Sequence, residues 1–288
     1  MRRGWGKVII RLSYIRPMLR RIARLAAGTY PVRLARVYGD SQAGNYAAGL
    51  AFTSFVSMFP LILGLLAILG LVTSAASYRS GFLDAVFGFF PADSRAPLTA
   101  ALDGVRHNTG LLGVLGVAGL FWSGSSLFTS MEFALGQVMG ARQRDFLRQR
   151  AMAALMTVVF AVAVVATIFL NSLAALVQGI PQLAPLLGLA VWLVFMAALY
   201  RLVPNRTHRL RQLWPGVLLA GVLMEALTLL WPLYARLSHG FSSYGTAFAL
   251  FFVLATWLYF FAQFTLLGAA ANRLHAGPPD TRGLIASP

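Results

Sequence analysis

The chain has 288 residues, 58% of them hydrophobic and 11% charged, with 24 Lys and Arg against 8 Asp and Glu and no cysteine. So apolar a chain with such short polar connections leaves no room for a separate water-soluble domain, and the lack of cysteine excludes disulfides, thiol catalysis and cysteine-based metal sites. The net charge of +16 is concentrated beside apolar stretches, where it fixes membrane orientation and meets anionic headgroups, so nucleic acid is not an expected partner.

Residues 1–42 hold ten Lys and Arg. Val8, Leu12, Ile15, Leu19, Ile22 and Ala26 recur on one helical face, with Arg11, Arg16, Arg20, Arg21 and Arg24 between them. This pattern predicts a basic amphipathic segment lying in the headgroup plane on the cytoplasmic side, kinked or restarted at Pro17. It lacks a compact apolar core followed by a cleavage site, so no cleaved signal peptide is expected.

Six apolar stretches follow, at 43–76, 110–136, 151–177, 183–200, 213–235 and 244–272. Each holds about 18 or more mostly apolar residues, enough to cross a hydrocarbon core of about 30 Å. Only a helix satisfies the backbone of such a run in lipid. The predicted fold is therefore all-α, a polytopic membrane protein with six transmembrane helices over 43–272 and amphipathic interfacial helices beside them. Residues 273–288 are expected to form a disordered cytoplasmic tail.

Pro60 should kink the first span. The 77–109 segment is the one sizeable piece expected outside the cytoplasm. Phe82, Val86 and Phe89, then Leu98, Ala101, Leu102 and Val105, have helical spacing there and predict two short interfacial helices. Gly110, Gly113, Gly116 and Gly119 suit a groove for close helix packing. Pro181 and Pro185 mark a tight turn between the third and fourth spans. Pro204 should end the fourth, and Trp214-Pro215 should open the fifth.

The Lys and Arg of alternate connections are unequal. With six spans, one side carries 20 and the other 4. The positive-inside rule then places both termini and the 137–150 and 201–212 connections in the cytoplasm.

Four segments in order resemble the YihY/BrkB family of bacterial inner-membrane proteins. They are the run Tyr46–Pro60 (YAAGLAFTSFVSMFP), Phe121–Ser126 (FWSGSS) followed by the arginines at 142–150, Val203–Arg206 (VPNR) leading to Trp214–Gly216, and Tyr244-Gly245 with Trp257–Tyr259 and Leu267–Ala269. The chain departs from the family pattern at Gly49, where Ala is usual, at Gly136, where Asn is common, and at Ala270, where many members carry Glu. The resemblance implies six spans with cytoplasmic termini. The family was once labelled a ribonuclease and has been linked to virulence, serum resistance and envelope biology.

Metal-assisted phosphodiester hydrolysis needs several His and carboxylate ligands converging on one site. The four His and eight acids here show no ligand spacing. No nucleophile motif of the G-x-S-x-G kind and no P-loop occurs. An enzyme, a metal and a cofactor are therefore not expected.

The informative residues are polar groups inside the spans. Glu225 lies near the centre of the fifth, where a charged acid costs about 2.5–3.5 kcal/mol on insertion scales and so must face protein or water or be protonated. Gly221, Glu225, Thr228 and Pro232 share one face. So do Tyr46, Gly49, Thr53, Ser57, Pro60 and Gly64 in the first span, Ser125, Thr129, Glu132 and Gly136 in the second, Thr167, Asn171, Ala174 and Gln178 in the third, and Gly245, Thr256, Tyr259 and Gln263 in the sixth. These stripes either line a polar cavity or pack helices closely through small residues. The candidate cavity residues are Glu225, Asn171, Pro60, Tyr46, Thr53, Ser57, Glu132 and Gln263, although Glu132 could instead pair with the arginines of the 142–150 connection. Arg206, Arg209 and Arg211 are candidates for gripping anionic lipid headgroups on the cytoplasmic side, against the alternative of simple topology charge. The expected function is transport or flipping of a lipid or other amphipathic envelope component, with a non-transporting membrane scaffold as the alternative.

Overall fold

The computed structural model describes residues 28–72, 109–176, 183–205, 210–237 and 246–277. The basic amphipathic face before residue 28, the 77–108 segment, Arg206, Arg209 and the tail beyond residue 277 lie outside the described residues.

Among the described residues there are seven helices and no strand. They are α1 (Tyr30–Asp40), α2 (Ala43–Val72), α3 (Thr109–Met139), α4 (Phe146–Leu176), α5 (Leu183–Leu202), α6 (Leu210–Leu237) and α7 (Thr246–Ala276). Four contain stretches long and apolar enough to cross a membrane: Phe146–Thr167, Ala184–Leu202, Arg211–Tyr234 and Phe251–Ala276. The remaining long helices, α2 and α3, have 30 and 31 residues.

Element bounds follow the local chemistry. The helix α1 has Pro31 in its first turn, where a missing N–H costs nothing. Its last carbonyls accept from the Ser41 hydroxyl, at 2.8 Å from the Val37 oxygen. The helix α3 ends in a Schellman-type cap: Gly140 has φ 68° and the Ala141 N–H bonds the Gly136 carbonyl at 2.9 Å. As expected, α5 stops two residues before Pro204.

Two local expectations are corrected. Pro215 does not open α6 but lies inside it, because the helix begins at Leu210. The N–H that Pro215 lacks would have bonded the Arg211 carbonyl, one turn into the helix. The next N–H, from Gly216, is taken by Asn272 Oδ1 of α7 at 2.8 Å, so the neighbouring helix supports the backbone there. Secondly, α4 begins at Phe146 rather than 151, which places Arg148 and Arg150 in its first turns.

Sequential helices pack side by side from α2 to α7, and α7 returns against α2, so the six long helices close into a ring. The α2–α3 interface is the most extensive, and α7 also touches α1 and α3. Ser123 of α3 donates to the Ser57 carbonyl of α2 at 2.7 Å within that interface. The outer surface is apolar: Val162, Leu186, Val194, Leu218, Leu230 and Leu233 are all exposed. In water such a surface would drive association, whereas in lipid it is matched to its solvent.

Burial differs sharply along α4 and α5. The end bearing the α3–α4 and α5–α6 connections, called here the basic end, is densely packed. Met152, Ala153, Met156 and Thr157 of α4 and Phe195, Met196, Leu199 and Tyr200 of α5 are buried there. From Val158 to Val194, which covers the far halves of α4 and α5, no described side chain is buried. One face of α4 (Val158, Val162, Val165) is exposed, and residues on the opposite face, Phe160, Ala163, Val164 and Thr167, are only half-buried.

Candidate functional site

The basic end is tied together by one arginine. Arg144, in the α3–α4 connection, reaches the buried Glu132 of α3 with both its backbone N–H and its Nη1, each 3.1 Å from Oε1. Its guanidinium also donates to three carbonyls at the end of α5: Leu202 at 2.8 Å, Pro204 at 3.2 Å, and Val203. The last carbonyls of a helix have no partner in their own helix, so a cation there satisfies them and complements the dipole. Arg273 of α7 does the same for α3, donating to the Val138 carbonyl at 3.0 Å. Glu132, a sequence candidate for a cavity, is thus the anchor of an inner brace.

Close backbone approach completes this end. Gly216 of α6 lies against Gly268 and Asn272 of α7. Tyr200 of α5 donates to the Thr265 carbonyl of α7 at 2.7 Å. Spacing within one span could not have singled out Tyr200, Asn272 or the reach of Arg144 to the end of α5, because those partners are more than 50 residues away.

The fifth-span stripe proves to be a seam facing α5. Gly221 packs on Leu193 and Thr228 accepts from Trp192 Nε1 at 3.3 Å. Glu225 sits against Gly188, where a Cβ would stand 2.8 Å from Oε2 and 3.0 Å from Oε1. Pro232, on the same predicted face, is exposed. Glu225 is 9% exposed and has no hydrogen-bond or ion-pair partner among the described residues. It lies at the boundary between the packed basic end and the unburied far halves of α4 and α5.

The other candidates do not gather around Glu225. Tyr46 stacks edge-on against Phe133 with ring centroids 5.6 Å apart. Thr53 bonds its own backbone, the Gly49 carbonyl, at 3.0 Å. Ser57 lies in the α2–α3 interface. Gln263 accepts from Tyr38 of α1; burial, and then the Tyr259 phenol, pushes Tyr38 up to about 12, so it remains a donor. The backbones of Pro60 and Asn171 are helical, and α2 continues through Pro60 without interruption; their side chains lie outside the described ones. Arg211 is exposed at the start of α6. Among the described residues no three His, Asp or Glu side chains group as metal ligands.

Among the described residues, shallow clefts include one of about 370 Å³ between α1 and α7 and one of about 380 Å³ between α6 and α7. Neither includes Glu225.

A closed ring of long helices, apolar outside and hydrogen-bonded within, defines a polytopic helical membrane protein. The family model described as virulence factor BrkB matches residues 34–282, and the chain belongs to that family. It is similar to UPF0761 membrane proteins of Pseudomonas paraeruginosa and Pseudomonas aeruginosa, each 24% identical over 246 residues, 82% of this chain and 60% of the relative. The chain thus spans about 60% of the length of those relatives. It is also similar to an uncharacterized protein of Dickeya dadantii, 26% identical over 300 residues, 90% of this chain and 87% of that one. No solved structure matches.

Proposed function

We propose that this is a six-span protein of the bacterial inner membrane with both termini cytoplasmic, and that it moves a lipid or another amphipathic envelope component between the helices. The charge asymmetry, the lengths of α2 and α3 and the bacterial relatives support the topology. The observation that carries the transport reading is the uneven bundle: braced at the basic end, unburied in the far halves of α4 and α5, with an unpartnered acid where the two regimes meet. A carboxyl group held by no cation and no donor among the described residues is free to meet a polar group on a substrate, or a proton, at mid-membrane depth. On this reading the structure is closed toward the cytoplasm and open outward. Anionic lipids on the cytoplasmic side are its immediate partners, and no catalytic step is involved.

The densely packed basic end favours a second reading, a scaffold that organises envelope components without moving them. Glu225 separates the two. Glu225→Gln and Glu225→Leu are each expected to insert and purify normally, since the wild-type carboxyl makes no bond among the described residues. In cells lacking the native copy, Glu225→Leu should fail to restore envelope resistance to detergent and serum, and Glu225→Gln should restore it partly. Full restoration by both variants, at normal protein levels, would exclude a pathway through Glu225 and leave the scaffold.

A further inference from the structure

The cleft between α6 and α7 is lined by a cation, an amide and two polar-tipped rings. Arg211 and Gln212 of the first turn of α6, Trp214 one turn on, and His275 of the last turn of α7 line its roughly 380 Å³. Trp214 and His275 meet edge-on, with ring centroids 6.0 Å apart and planes at 75°, which holds both rings across the α6–α7 junction. Among the described residues no acid lines the cleft and Arg211 has no hydrogen-bond or ion-pair partner. Its guanidinium, unlike that of Arg144 or Arg273, is therefore not committed to capping a helix.

The cleft's volume falls within the range of small-ligand sites, about 300–1,000 Å³. Its chemistry is that of a phosphate: a planar cation suited to bidentate oxygen contacts, an imidazole donor on a second helix, and the positive end of the α6 dipole. A half-exposed Trp at the same level marks the membrane–water interface, where an amphipathic ring sits among headgroups. The apolar flanks of α6 just beyond, Leu218 and Val222, are exposed and could carry acyl chains.

We propose that this cleft binds the phosphate of an anionic phospholipid, with Arg211 as the clamp, His275 as a second donor and Trp214 against the glycerol region. The site is about 20 Å along α6 from Glu225, and a lipid held there would serve a transporter and a scaffold alike, so the proposal does not rest on the transport reading.

The test is native mass spectrometry of the full chain in detergent, titrated with phosphatidylglycerol, phosphatidylcholine and inorganic phosphate. The wild type should bind phosphatidylglycerol in preference to phosphatidylcholine. Combined Arg211→Ala and His275→Ala should weaken phosphatidylglycerol about tenfold, and Arg211→Lys, which keeps charge but loses the fork, should fall between. Arg36→Ala, an exposed arginine on α1, should change nothing, and millimolar phosphate should not displace the lipid. Equal retention by the double variant, equal loss with Arg36→Ala, or no preference for the anionic lipid would each overturn the site. Displacement by millimolar phosphate would make it a site for free phosphate and overturn the lipid assignment.

Discussion

Replacing Arg144 with Met should destabilise the protein by about 3–5 kcal/mol, the cost of breaking a buried ion pair from one side. The reason is the number of groups left behind. Glu132 is almost fully buried and would keep only the Arg144 backbone N–H, while the carbonyls of Leu202, Val203 and Pro204 would lose their shared donor. Glu132→Gln should cost less, on the order of 1–2 kcal/mol, because the guanidinium retains its three carbonyls and a neutral amide can still accept. The double variant Arg144→Met with Glu132→Leu removes the stranded charge but not the stranded carbonyls, so it should recover only part of the loss. Thermal unfolding of the three variants in detergent checks this order. A single Arg144→Met no more harmful than Glu132→Gln would show that the brace is a surface ion pair of little weight.

The second large effect is expected at Gly216. A Cβ there would stand 2.5 Å from Asn272 Cγ and closer still to the Gly268 carbonyl oxygen. The obstacle is partly backbone, so no rotamer change relieves it, and α6 must separate from α7. Between helices in lipid, association depends on close packing rather than on water exclusion, so the loss is not offset elsewhere. Overpacking in cores costs about 1–3 kcal/mol and occasionally more; Gly216→Ala should lie at or above the top of that range and Gly216→Val should prevent assembly. Gly49→Ala provides the contrast. Nothing lies within 4 Å of a Cβ at Gly49, and the residue is helical, so alanine should be neutral or stabilising by up to about 1 kcal/mol. Nothing in the structure explains why glycine stands at Gly49. Expression level and melting temperature of the two single variants test the contrast, and equal behaviour would contradict it.

Much of the architecture was legible because lipid imposes long uninterrupted apolar runs, and these placed α2 to α7 within a few residues of their observed ends. Start sites were less legible: Arg148, Arg150 and Leu210–Gln212 look like connection by composition, yet they extend helices beyond the apolar core. The facing of each span was harder to read. In water an apolar stripe marks the buried side, but in lipid both sides are apolar and only small or polar residues carry the signal. That signal was right for Gly221, Glu225 and Thr228, which all meet α5. It was right again for Ser125 and Glu132, which meet Arg150 and Arg144. It was mixed in the first span, where Ser57 is buried while Gly49 is exposed. The pairing of Gly216 with Gly268 and of Arg144 with the end of α5 was not legible, because it depends on how distant helices cross.

The proposed transport pathway requires a bundle that is closed at its basic end and that admits water between α4 and α5 from the far end. The chain has no cysteine, so single cysteines can be introduced without background. The direct measurement is the reaction of Ala163→Cys and Leu199→Cys with a charged, membrane-impermeant thiol reagent, added from either side of oriented membrane vesicles. Ala163→Cys should react only from the periplasmic side, and Leu199→Cys from neither. Protection of Ala163→Cys from both sides, or labelling of Leu199→Cys from the cytoplasmic side, would contradict the account.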